Sequence, residues 1–152
     1  QNYGGSKEGR MSDYFMDTIC PYLDKEAIDS FTPEAVVINL GTNDWSAPIN
    51  PSDYTDQYRK LTDFIRNRYP SAELFCVIGP MNLGPAPHLK ELVASLNEEG
   101  DKHVHFMEFS LIRRPEDGMG GCGHPSVKKH YQMAEQLEET IRQVCTNFTL
   151  SL

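Results

Sequence analysis

Two short segments hold side chains suited to acyl chemistry. Gly41-Thr42-Asn43-Asp44-Trp45 offers an amide, a carboxylate and an indole; Gly123-His124-Pro125-Ser126, about 80 residues later, offers an imidazole beside a hydroxyl. An imidazole moves protons near neutral pH. An amide N–H can donate to a developing oxyanion, which an Asp in its place could not do. Ester hydrolysis through an acyl-enzyme needs a base, oxyanion donors and a nucleophile. Taken singly, each residue has a plainer reading: Asn-Asp is a common turn former, a His near a helix start an ordinary loop residue, and Trp45 a packing residue.

Other groupings carry less. His103-x-His105 would put two imidazoles on one strand face, but the sequence offers no third ligand, so a solvated strand edge is expected. Cys122-x-His124 is a poor metal pair. The cysteines at 20, 76, 122 and 145 form no C-x-x-C pair and no zinc spacing. Cys76, inside an apolar run, is expected to be a buried free thiol. The glycines at 118, 120, 121 and 123 precede a helix but lack the G-x-G-x-x-G order and the Lys of a phosphate loop. His88 falls in a Pro-rich stretch read as loop, and His130 is expected at most to buttress. Glu135, Glu138 and Glu139 read as a solvated helix face.

The elements that must position these residues alternate. Met11, Phe15, Ile19 and Leu23 recur at helical spacing until Pro21 interrupts. Ala35 to Leu40 is a β-branched apolar run, expected as a strand buried on both faces. Asn50-Pro51-Ser52-Asp53 signals a helix start, and Tyr54, Tyr58, Leu61, Ile65 and Tyr69 form its stripe up to Pro70. Leu74–Ile78 predicts a second strand ending in Gly79-Pro80. Leu89, Leu92, Val93 and Leu96 predict a helix closing near Gly100, and Val104–Phe109 a third strand. After Pro125-Ser126, Val127, Tyr131, Ala134, Leu137, Ile141 and Val144 share one helical face. Alternation of this kind gives an α/β fold: a three-layer α/β/α sandwich on a parallel sheet. Three strands are few for such a fold, so one domain over 1–152 that lacks its N-terminal strand or strands is expected.

Bulk composition narrows the partners. The 152 residues carry a formal charge of −8, against nucleic acid or an anionic membrane surface. No apolar run approaches the length of a membrane span. The Asn147-Phe148-Thr149 acceptor triplet points to an extracellular compartment.

Gly41-Thr42-Asn43-Asp44 directly after a strand resembles the G-x-N-D block of SGNH (GDSL-like) hydrolases, and Gly123-His124-Pro125-Ser126 resembles their final histidine block. Asn2-Tyr3-Gly4-Gly5, the G-T-N-D-W-S run, Tyr69-Pro70, Gly79-Pro80-Met81, His130 and Met133-Ala134 are similar to carbohydrate esterase family two. The resemblance spans Asn2 to about Cys145 and implies a flavodoxin-like fold that removes acetyl groups from saccharides without metal or organic cofactor. It implies His124 as general base, Asn43 as oxyanion donor, Gly41 allowing close backbone approach, Asp44 bracing the loop, and Trp45 and Met81 meeting substrate. The partner is then an acetylated saccharide or other small ester, and the protein a monomer. No Gly-Asp-Ser segment occurs; Ser6, Ser12, Ser46 and Ser126 fit the nucleophile poorly, so it is expected upstream of Gln1. The family's Asp three residues before the histidine is Gly121 here, leaving a carbonyl of the 118–123 loop, or Asp117, to orient His124. A lipid esterase or thioesterase on this scaffold, and a sugar-binding protein without catalysis, are the rival readings.

Overall fold

The chain's apolar runs fold into parallel strands, each followed by a helix. A computed structural model describes residues 31–113 and 115–145. Within them β1 spans Ala35–Asn39, α1 Pro51–Arg68, β2 Glu73–Ile78, α2 Ala86–Glu98, β3 Val104–Glu108 and α3 Val127–Val144. The 3-10 turns Asp44–Ser46 and Gly121–Gly123 precede α1 and α3. The helix expected around Met11–Leu23, the Asn2–Gly5 motif, Cys20 and the Asn147 triplet lie outside the described residues.

The strands pair in the order β1-β2-β3, all parallel. Ile38 stands opposite Cys76, and Cys76 opposite Phe106. Helices α1 and α2 cover one face: Tyr54, Tyr58, Leu61, Ile65, Leu89, Leu92, Val93 and Leu96 bury against Ile38, Leu74, Cys76, Ile78 and Val104. Helix α3 covers the other, packing Met133, Leu137, Ile141 and Val144 on Phe75, Val77, Met107 and Phe109. The three-layer arrangement is the expected one. Leu74, Phe75, Val77, Ile78 and Leu89 have no exposed surface, and full burial of such a side chain stabilises by about 1.5–3 kcal/mol. Cys76 is a buried free thiol, as expected, and burial pushes its pKa up to about 12.

Local chemistry sets the helix limits. The Asn50 side chain accepts the Ser52 N–H at 3.2 Å with Pro51 at the first helical position. At the far end the Arg66 guanidinium donates to the carbonyls of Tyr69, Pro70 and Ala72 and pairs with Asp101 at 2.9 Å. Ser126 caps α3 by accepting the Lys129 N–H at 3.1 Å.

Three expectations need correction. Strand β1 is not buried on both faces: Val37 is 42 % exposed, because α3 lies over β2 and β3. On α3, Val127 and Tyr131 are 73 % and 69 % exposed and Ala134 is exposed, while Lys129 and Met133 turn inward. The first turn of α3 faces the polar 110–117 loop rather than the sheet, and an ammonium suits that surface better than a Val. His103 and His105 are not simply solvated. His103 Nδ1 and His105 Nε2 lie 2.7 and 2.6 Å from the two oxygens of Glu73, at the amino end of the sheet. Glu135, Glu138 and Glu139 are exposed on α3, as anticipated.

Candidate active site

The exit of β1 is anchored from below. Tyr54 and Tyr58 of α1 donate their hydroxyls to the carbonyls of Leu40 and Ile38, at 3.1 and 3.0 Å. Burial, with nearby acidic groups adding to it, drives both phenol pKa values far up, so both remain neutral donors. Gly41 follows at φ +128°, and a Cβ there would stand 2.9 Å from the Tyr54 hydroxyl and 3.1 Å from Pro85. Only glycine meets both demands. The close approach that Gly41 permits is to the residues beneath the turn.

The turn then closes on itself. The Gly41 carbonyl accepts the Asp44 N–H at 3.1 Å and the Trp45 N–H at 3.4 Å, and the Ser46 hydroxyl donates to the Asn43 carbonyl at 2.6 Å. Asn43 sits at φ −75°, ψ −25°, and its side chain makes no capping bond. It is exposed, which leaves its amide N–H groups to an incoming acceptor.

Trp45 is held on three sides. Its ring meets Tyr54 edge-on at 5.0 Å and stacks on His88 at 5.6 Å with 27° between planes. Gly84 approaches so closely that a Cβ there would fall 2.6 Å from Trp45 Cδ1. The indole also packs on the core cluster. His88 belongs to the first turn of α2, not to the Pro-rich loop in which the sequence reading placed it. Pro85 and Pro87 are tolerated there because the first helical N–H groups have no intrahelical acceptor.

The exit of β2 ties the other two together. Gly79–Pro80 is a cis peptide. The Gly79 carbonyl accepts from Asn39 Nδ2 at 3.2 Å, and the Pro80 carbonyl accepts the Ile112 N–H at 3.2 Å. Met81 follows, 42 % exposed.

His124 ends a loop of left-handed turns. Gly118 and Gly123 have φ +70° and +79°, and Cys122, at φ 55°, shares that region. The His124 carbonyl accepts the Gly120 N–H at 3.0 Å, and a Cβ on Gly120 would lie 2.5 Å from the Pro125 carbonyl. The exposed imidazole has Nδ1 3.2 Å from the Gly121 carbonyl. Of the two candidates left open by the sequence, the loop carbonyl therefore orients the ring. Asp117 is engaged elsewhere, accepting the Arg113 N–H at 2.7 Å and pairing with Lys129 at 3.3 Å.

Asn43, Trp45, Met81 and His124 thus all belong to segments that leave the carboxyl ends of parallel strands, the edge where open α/β sheets hold ligands. With Nδ1 facing a carbonyl, the neutral imidazole keeps its proton there and leaves Nε2 able to accept one. Sequence reasoning missed His88 beside Trp45 and Lys129 beneath the His124 loop. The signal for Lys129 was its i, i+4, i+8 spacing with Met133 and Leu137. Among the described residues no group of three or more His, Cys, Asp or Glu is arranged to hold a metal ion, and no helix is long and apolar enough to cross a membrane.

Known proteins share the sequence and fold of this chain. The GDSL-like Lipase/Acylhydrolase family matches residues 17–150. The cellulase/esterase CelE of Acetivibrio thermocellus is 35 % identical over 151 residues, covering 93 % of this chain and 18 % of CelE. A family two carbohydrate esterase from Clostridium thermocellum, solved in complex with cellohexaose, superposes with a TM-score of 0.85 at 33 % identity, over 96 % of this chain and 46 % of that one. A carbohydrate esterase family 2 enzyme with a carbohydrate binding domain, from Corynascus thermopiles, gives 0.67 at 28 % identity, over 77 % and 39 %. The chain therefore spans under half the length of these solved relatives and about a fifth of CelE.

Proposed function

Because the chain belongs to the GDSL-like lipase/acylhydrolase family, we propose that the protein containing it removes O-acetyl groups from saccharides. The observation that carries this reading is that an exposed amide at Asn43 and an imidazole at His124, whose Nδ1 faces a backbone carbonyl, both lie in loops that follow the carboxyl ends of the parallel strands. The kinship to carbohydrate esterases supports the choice of a saccharide ester.

In this mechanism the nucleophile is a serine upstream of these 152 residues, which contain no Gly-Asp-Ser segment. His124 Nε2 takes the serine proton as the oxygen attacks the acetyl carbonyl. The Asn43 amide donates to the oxyanion that forms. His124 returns the proton to the departing sugar hydroxyl, leaving an acetyl-serine. A water molecule, deprotonated by His124, then releases acetate and restores the serine. The Gly121 carbonyl fixes the ring but supplies no full negative charge, so the imidazolium formed in each step is less stabilised than beside a carboxylate. Asp44 holds the turn through its backbone bond to Gly41. In this reading Trp45 and Met81 wall the acetyl site.

The full-length protein tests this with two ester series. Release of acetate from acetylated oligosaccharides, with octanoyl esters cleaved far more slowly, is expected. Equal or faster octanoyl cleavage would favour a lipid esterase. Residues 1–152 alone are expected to leave a chromogenic acetate ester intact; rapid hydrolysis would place the nucleophile within this chain.

A further inference from the structure

A charged side chain is buried beneath the His124 loop. Lys129, in the first turn of α3, is 2 % exposed. Its ammonium donates to the Ser110 hydroxyl at 2.9 Å and the Leu111 carbonyl at 3.1 Å, and pairs with Asp117 at 3.3 Å. These groups border a cavity of about 480 Å³ on the α3 side, together with Arg113 and Gln132. The Arg113 N–H, opposed by burial and joined by Lys129, holds the Asp117 carboxyl below its usual range. That carboxyl is therefore ionised at neutral pH.

The same residues close the loop that carries the imidazole. Ser126 donates its hydroxyl to the Asp117 carbonyl at 2.5 Å while accepting the Lys129 N–H at 3.1 Å. Above that junction Gly120 and His124 are bonded backbone to backbone at 3.0 Å. Residues 117–126 thus form a closed loop whose base is the Asp117–Ser126–Lys129 junction. Apart from the Gly121 carbonyl, the ring of His124 has no hydrogen-bond partner among the described residues. Its place is set by the frame of the loop.

A buried ion pair is a poor source of stability, because desolvation offsets the attraction, and an apolar pair of similar volume commonly does as well or better. What the charge adds is directional: three acceptors at fixed points that a Met could not gather. We propose that Lys129 is a positioning residue for His124, fixing the 110–117 loop against the first turn of α3 so that the imidazole stands where the reaction needs it. The inference rests on the esterase reading above and deepens it.

The test uses the full-length protein with acetylated oligosaccharide as substrate. Lys129→Met alone strands a buried carboxylate and risks misfolding, so the informative variant is Asp117→Asn with Lys129→Met, which removes both charges. It is expected to unfold as cooperatively as the parent, with kcat lowered about 100-fold, the cost of displacing a catalytic group by roughly 1 Å, and KM little changed. Lys129→Arg, which keeps the cation, is expected to recover much of that loss. A double variant with kcat within about twofold of the parent would overturn the proposal, as would a double variant that no longer folds, since Lys129 would then be structural only. His124→Ala serves as the reference. If it also leaves kcat intact, the esterase reading fails, and the positioning role with it.

Discussion

The Nδ1 of His124 stands 3.2 Å from the carbonyl oxygen of Gly121, so a neutral backbone dipole occupies the place where a triad would put a carboxylate. The arrangement can orient the ring and choose its tautomer. It forgoes the charge that would steady an imidazolium. Gly121 has open space where a Cβ would project and lacks a positive φ.

Gly121→Asp is accordingly expected to fold with stability within about 0.5 kcal/mol of the parent, as surface substitutions do. Its turnover of acetyl esters should equal or exceed that of the parent. Denaturant titration and steady-state kinetics on the full-length protein check both. A tenfold fall in kcat with the fold intact would show that a carboxylate at this position displaces the ring rather than steadying it.

Trp45 is the single tryptophan of these 152 residues, so the part of the indole emission lost in Trp45→Phe reports on this wall. Gly84→Ala would place a methyl 2.6 Å from Trp45 Cδ1, so either the indole or the Gly84 backbone shifts, and the indole is expected to move. The expected result is a displaced emission maximum and a raised KM for acetylated oligosaccharide, with kcat less affected. Superimposable spectra would mean that the β2 exit gives way instead.

At the opposite end of the sheet, burial raises the Glu73 pKa, but hydrogen bonds from His105 and His103 outweigh it and leave the carboxyl below its ordinary value. A carboxylate depressed in the folded state stabilises fully above its unfolded pKa of about 4.3, and that stability is lost as pH falls through the lower folded value. Glu73→Gln should therefore lower the thermal midpoint at pH 5–6 (roughly, from the same reference value) and flatten its decline below about pH 4.3. Midpoints measured across that range would show the two curves converging in acid. Parallel curves would assign no pH-linked stability to the bridge.

Much of this was legible in the amino-acid order, and the exceptions share a cause. Leu74–Ile78 could hardly be anything but a central strand, since five consecutive apolar residues leave no wet face. Asn50-Pro51 and Ser126 announced their helices through the orphan N–H groups they satisfy. The two site motifs were readable because each follows or precedes an element at a fixed place. What could not be read depends on neighbours remote in sequence. Glu73 meets His103 and His105 because of the parallel register that sets Leu74 against Val104. Lys129 turns inward because carbonyl and hydroxyl oxygens of the 110–117 loop await it. Val37 stays open because α3 lies over the other two strands. Asp117 seemed available to His124 until its partners, Lys129 and the Arg113 N–H, were known.

Single-site kinetics on the full-length protein test the central claim most directly, with acetate release measured for Asn43→Ala and His124→Ala. The account predicts a fall in kcat of about 10²–10³ for Asn43→Ala, the usual effect of losing one oxyanion donor. For His124→Ala it predicts about 10⁴ or more, as when a base of this kind is removed. Neither change should alter KM much. Turnover unchanged at both positions would contradict the assignment of this edge as the reacting site.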